Sequence, residues 1–327
     1  MRRVLIIPLL LASSSAAALP TVTYPGQAGS HKEEHALVQT QMRNVTYRFT
    51  DTSAVHIKSL TGELVPVSPA EMPVFDNKDS FRLRIKSADI TIAAGDLASI
   101  LNSYVFARDH SPLTGISISI GKGRMRLKGK LHEVGVIPFE AESFLSPTAD
   151  GKLLLRTGKV KALHVPVKGM MNLLGIDIAS LIKNGKVPGV QAEGDDLILD
   201  PAMIFPAPHM EGKVTATKIE GDVVTLTFGE PQRALEKPLQ PGNYMAFRHG
   251  QLRFGKLTMS DADMILIDMD PGDPLEFFLE HYNAQLGAGY SKITPHYGLR
   301  VFLKDYSKLP KSKLALKGNK SAPEASQ

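Results

Sequence analysis

The sequence predicts an α+β fold in which antiparallel sheet dominates and a few apolar helices pack against it. Two patterns lead there. Apolar and charged residues alternate in segment after segment, as in strands with one buried and one wet face, and the 3.6-residue period of a helix surfaces in only three windows.

In chain order, Arg2 and Arg3 precede an apolar stretch from Val4 to Leu11, and Ala16-Ala17-Ala18 offers a small-x-small cleavage site. Residues 1–18 therefore read as a signal peptide cut after Ala18, and 19–34 as a flexible mature N-terminus. The stretch, broken by Ser13-Ser14-Ser15, falls short of the roughly 20 residues that span a bilayer. Between Ala36 and Val67, Val45, Tyr47 and Phe49 alternate with Thr46, Arg48 and Thr50, and Val55 and Ile57 follow, predicting a hairpin. Phe81, Leu83 and Ile85, then Ile90 and Ile92, predict a further strand. Leu97, Ile100, Leu101, Tyr104 and Val105 fall on one stripe, predicting a helix over Asp96–Phe106.

Strands are expected at Ile116 to Ile120, Met125 to Leu131 and Phe139 to Phe144, with Thr148-Ala149-Asp150-Gly151 turning into Leu153 to Leu155. Met170, Met171, Leu173, Leu174, Ile178, Leu181 and Ile182 predict a second helix, apolar on more than one side. Strands return at Leu197 to Leu199, Val214 to Ile219 and Val223 to Phe228. Gly229 to Pro241, with three prolines, marks a boundary, so residues 35–229 form the main domain and 230–306 a C-terminal segment packed on it or a small subdomain. That segment reads as β-α-β. Strands are expected at Met245 to Phe247, Leu252 to Met259, Met264 to Ile267 and Leu299 to Leu303. A third helix is expected over Pro274 to Leu286, with Asp273 as N-cap, Pro274 at N1 and Glu276 at N3. Residues 307–327 form a disordered lysine-rich tail.

The chain has 327 residues, 43% of them hydrophobic, and no cysteine. Disulfides, thiolate metal sites, a cysteine nucleophile and a lipoprotein anchor are thereby excluded. An exported domain of this size without disulfides points to a bacterial envelope, so a periplasmic or secreted location is expected. Of the net charge of +5, Arg2 and Arg3 supply two and the tail, with five lysines against Glu324, supplies four, leaving the body at −1. A near-neutral body is no nucleic-acid surface.

His31-Lys32-Glu33-Glu34-His35 matches the H-x-x-E-H spacing of a zinc peptidase, but it lies in a polar stretch with no apolar helix face and reads as a solvated segment. Asp261, Asp263, Asp268, Asp270 and Asp273 suggest a hard cation, yet their spacing fits no EF-hand loop, and Asp273 already serves as a helix cap. Lys122, Arg124, Arg126, Lys128 and Lys130 put five cations on one strand face, either its solvent side or a seat for phosphate headgroups. No nucleophile elbow, P-loop or dinucleotide fingerprint occurs, and the other histidines are scattered. No catalytic residue, metal or cofactor is expected.

Several segments share an order found elsewhere: Ala88-Asp89-Ile90-Thr91-Ile92 running into Leu97 to Val105, the basic and apolar strand Gly123 to Leu131, Phe139-Glu140-Ala141-Glu142, Leu163-His164-Val165-Pro166-Val167, and the strands closing at Phe228-Gly229. From Ser87 to Gly229 the chain resembles the LmeA-like phospholipid-binding family, whose folds are TULIP-like. The resemblance implies a curved antiparallel sheet wrapped around the helices, with acyl chains in an apolar groove between them. Leu97, Leu101, Tyr104 and Val105 on the first helix and Met170, Met171, Leu174 and Leu181 on the second would line it. The long N-terminal strands and the C-terminal segment are additions to that pattern. Ten buried methylenes would contribute about 8 kcal/mol without any polar chemistry. The expected function is that of an exported lipid-binding or lipid-transfer protein for phospholipid or another acyl lipid. It would touch anionic membranes through Lys122, Arg124, Arg126 and the lysine-rich tail. The alternative is a non-catalytic structural or interaction protein of the envelope.

Overall fold

Three long antiparallel strands carry the larger of two sheets: β1 (Val38–Thr50), β2 (Ser53–Pro66) and β3 (Phe81–Ala93). They belong to a computed structural model that describes residues 36–108, 111–132, 135–158, 161–162, 187–193, 196–230 and 237–310. Leading out of β3 come α1 (Ala94–Ile100) and a π-helical turn (Leu101–Val105). The smaller sheet follows with β4 (Leu113–Gly121), β5 (Arg124–His132), β6 (Val136–Pro147), β7 (Leu153–Thr157), β8 (Lys161–Ala162), β9 (Val190–Glu193) and β10 (Asp196–Leu199), ordered β4-β5-β6-β7-β10-β9 with β8 on β6.

The chain then returns to the larger sheet. A short α2 (Pro201–Ile204), capped by the Asp200 carboxylate on the Ala202 amide, leads to β11 (Met210–Glu211), β12 (Val214–Glu220) and β13 (Val223–Phe228). Next come β14 (Tyr244–Arg248), the hairpin β15 (Leu252–Phe254) and β16 (Leu257–Met259), β17 (Asp263–Asp268), β18 (Leu275–Phe278), α3 (Tyr282–Ala288), β19 (Tyr290–Ile293) and β20 (Leu299–Leu303). The larger sheet runs β12-β13-β3-β2-β1-β14-β17-β20-β19, with β11 added to β3 and β18 to β1. The fold is thus sheet-dominated, with broad, mostly antiparallel sheets and few helices.

Alternation explains why these segments pair as they do, and one departure from it shapes the larger sheet. Core residues fall on every second position within each long strand, except for one interval of three: Met42 to Val45 in β1, Ile57 to Leu60 in β2 and Ile85 to Ala88 in β3. At each interval two successive residues turn outward. The β2–β3 register shifts at Ile57/Ser59 and Thr61/Gly62, the bulge geometry that bends and twists a strand. Asn44 takes φ +51° at the slip in β1, where that strand exchanges one neighbour for another, pairing with β14 through Arg43 and with β18 from Val45 onward.

Two expectations for the C-terminal segment need correction. Only the C-terminal part of the helix expected over Pro274–Leu286 forms: Leu275–Phe278 is a strand parallel to β1, a 3-10 turn follows at Leu279–His281, and α-helix begins at Tyr282. The cap-like residues are drawn elsewhere, since Asp273 takes the Lys308 ammonium at 2.9 Å and Glu276 binds Arg48, while Leu275 and Phe277 fill the core. Nor is Leu252–Met259 one strand, because the chain turns back after Phe254. Residues 241–306 have no main sheet of their own; β14 and β18 hydrogen-bond directly to β1.

Candidate functional site

The inner faces of the two sheets share one apolar core, and two small cavities lie in it. The first, about 40 Å³, sits against the larger sheet between Met42, Tyr47, Leu64, Phe75, Met210 and Met245. Its ceiling is an aromatic cluster in which Phe75 meets Phe247 at 5.2 Å and Phe254 at 5.1 Å between ring centroids. Tyr47 brings the cavity a phenol, and burial, reinforced by the Glu280 charge, pushes its pKa well above the ordinary range, so it stays neutral.

The second cavity, also about 40 Å³, lies between α1 and both sheets, lined by Leu97 and Leu101, by Ile118 and Met125 from the smaller sheet, and by Val224 and Leu226 from the larger. Phe49, lining the first cavity, and Phe205, lining the second, lie 6.3 Å apart between ring centroids. The lining side chains are apolar except for the Tyr47 hydroxyl, and charged groups are absent. Such space stays dry, and each cavity is well below the ~150 Å³ that admits a benzene ring.

Beside the second cavity two hydroxyls break the apolar surface. Ser143, fully buried, pairs in register with Met125 on β5 and with Thr157 on β7. Among the described residues neither Ser143 Oγ nor Thr157 Oγ1 has a hydrogen-bond partner. A buried orphan hydroxyl costs about 1–3 kcal/mol, so two neighbours of this kind ask for a polar group they can bond.

Of the residues expected to line a groove, Leu97 and Leu101 line the second cavity and Val105 is buried in the same core. Tyr104 is 40% exposed and faces away from it. Met170, Met171, Leu174 and Leu181 lie outside the described residues, as do His31 and His35. Sequence reading missed Ser143 and Thr157, because a serine on the buried parity of a strand is an ordinary substitution until its missing partner is seen.

The cationic stripe is only partly free. Arg124, Arg126, Lys128 and Lys130 do share the outer face of β5, but Glu142 lies 3.1 Å from Arg124, and Glu140 lies 3.1 Å from Arg126 and 3.5 Å from Lys128. Arg124 also stacks over Phe144, 4.9 Å from the ring centroid. Lys122, at φ +54°, sits in the β4–β5 turn beside an open recess of about 500 Å³.

The aspartate run holds protein cations. Asp263 binds Arg300 at 3.1 Å, and Asp270, Asp273 and Asp305 converge on Lys308 at 2.7, 2.9 and 2.9 Å. The hydrogen bonds that the Lys308 ammonium donates to these three carboxylates raise its pKa. Among the described residues no group of three histidine, aspartate or glutamate side chains is arranged to hold a metal, and no helix is long and apolar enough to cross a membrane. Comparison with protein-family models, curated sequences and solved structures finds no match for this chain.

Proposed function

We propose that the protein is an exported lipid-binding or lipid-transfer protein that shields acyl chains between its two sheets, in the manner of TULIP-like folds. The observation that carries this reading is the second cavity: carbon-lined, bordered by α1, and flanked by the hydroxyls of Ser143 and Thr157, which have no partner among the described residues. Hydrocarbon is the ligand that such a lining favours, and an ester or carboxyl oxygen would satisfy the hydroxyls. Growth of the space falls to methionines, whose unbranched side chains repack at low cost: Met42, Met210 and Met245 in one cavity and Met125 in the other. Native mass spectrometry of protein taken from an envelope fraction tests the reading. The expected spectrum contains a bound phospholipid or other acyl lipid; apo protein that also refuses a fluorescent fatty acid contradicts it.

The cavity volumes favour a second reading, a non-catalytic structural or interaction protein of the envelope with a closed core. It predicts that no acyl lipid binds under any condition in which the fold is intact.

A further inference from the structure

The phase slip in the long strands has a consequence on the face of the larger sheet opposite the core. Where β1 runs from Met42 to Val45, both Arg43 and Asn44 point outward, and where β2 runs from Ile57 to Leu60, so do Lys58 and Ser59. Two strands in register thus bring four polar side chains to one place, with Arg43 opposite Ser59. Thr61 follows on the same face, opposite Gln41.

A cleft of about 470 Å³ opens over these residues, within the 300–1,000 Å³ typical of small-molecule sites. Its side wall is Pro238, Gly242, Asn243 and Tyr244. That wall is braced: the Tyr244 hydroxyl donates to Gln41 Oε1, the Asn44 amide donates to Asn243 Oδ1 at 2.8 Å, and the Asn243 amide donates to Asp268 Oδ2 at 2.8 Å. Ser59 and Thr61 form the floor at only 6% and 9% exposure, yet their hydroxyls bond no described side chain. Arg43 and Lys58 are exposed and form no ion pair with a described carboxylate, whereas Asp89, opposite Ser59 on β3, is engaged by the Thr227 hydroxyl at 2.9 Å.

The geometry points to a binding site for a phosphate ester. Two cations with no ion-pair partner among the described residues match its charge, the guanidinium fork and the two floor hydroxyls match its several acceptor oxygens, and the cleft has room for a small hydroxylated group attached to it. The ester is either a soluble molecule or the headgroup of a phospholipid. The site lies on the other side of the sheet from the apolar interior and stands apart from the lipid reading.

Calorimetric titration of the full chain with glycerol 3-phosphate, and co-sedimentation with phosphatidylglycerol vesicles, distinguish the sources. Arg43→Gln and Lys58→Gln should each weaken binding about tenfold, the loss of one charge-assisted bond, while Arg156→Gln on the other sheet, where the arginine is paired with Asp196, leaves it unchanged. Melting temperatures of the variants should stay at the parent value, since both side chains are exposed. Losses seen with the soluble ester assign a free ligand, and losses confined to vesicles assign a headgroup. Equal binding by parent and Arg43→Gln/Lys58→Gln in both arms, or no binding at millimolar ester and to vesicles, overturns the site. Leu101→Trp, which fills the apolar cavity, should leave ester binding intact, so failure of one proposal is separable from failure of the other.

Discussion

Asn44 shows how much one residue can decide. It holds a left-handed backbone at φ +51°, which asparagine tolerates far better than most residues, and its amide ties the slip in β1 to Asn243 at the root of β14. Asn44→Ala should cost about 1–2 kcal/mol in urea unfolding, and Asn44→Gly less, because glycine restores the backbone freedom and loses only the amide. Equal losses would assign the whole effect to the hydrogen bond. Glu276 makes a second test. Burial would raise its pKa, but hydrogen bonds from Ser307 and Arg48 outweigh burial and hold it below the ordinary value. A depressed carboxylate contributes stability that is fully present above its unfolded pKa, near 4.3, and lost as pH falls through the folded one. Glu276→Gln should therefore cost about 1–2 kcal/mol at pH 7, after allowance for partial exposure, and progressively less below about pH 4. A cost independent of pH would remove the ion pair as its cause.

Among elements, the long strands were legible because a parity change is written into them: Phe81, Leu83 and Ile85 are odd, Ile90 and Ile92 even, and a bulge must lie between. The strand at Leu275–Phe278 was not legible, since Asp273-Pro274-Leu275-Glu276 carries a helix-start pattern and only distant partners, Arg48 and Lys308, redirect it. The lysine at the centre of the aspartate run was hidden for the same reason, lying 35 residues from Asp273 and 38 from Asp270. The first helix was placed nearly right, though it ends in a π turn. That turn sets Asn102 to donate to the Ala98 and Ile116 carbonyls at 2.8 and 2.6 Å and to accept the Ile116 amide at 2.8 Å, fastening α1 to the edge strand β4 where its register shifts. Asn102→Ala should cost about 1–3 kcal/mol and speed amide exchange in β4 well before β2. Unchanged protection of β4 would show that the sheet holds that strand without the helix.

Across the whole molecule, alternation predicted strands with one buried and one wet face; the inner faces of both sheets meet in one core, while Tyr244, Ala246 and Ile265 of β14 and β17 form a second, smaller buried cluster. Helical spacing put Leu97 and Leu101 on one apolar stripe, and both line a cavity, while its opposite walls come from β4, β5 and β13, whose arrival depends on sheet order and not on local pattern. On the proposed lipid-binding function, this interior opens to accept an acyl chain. Uptake of a fluorescent fatty acid by the parent protein and by Leu101→Trp, with melting temperatures measured in parallel, tests it most directly. If the cavity is ligand space, the parent takes up the probe, and the tryptophan lowers uptake per folded molecule at little cost in stability. A sealed core would instead be overpacked, losing about 1–3 kcal/mol with no selective effect on uptake, and that result would contradict the claim.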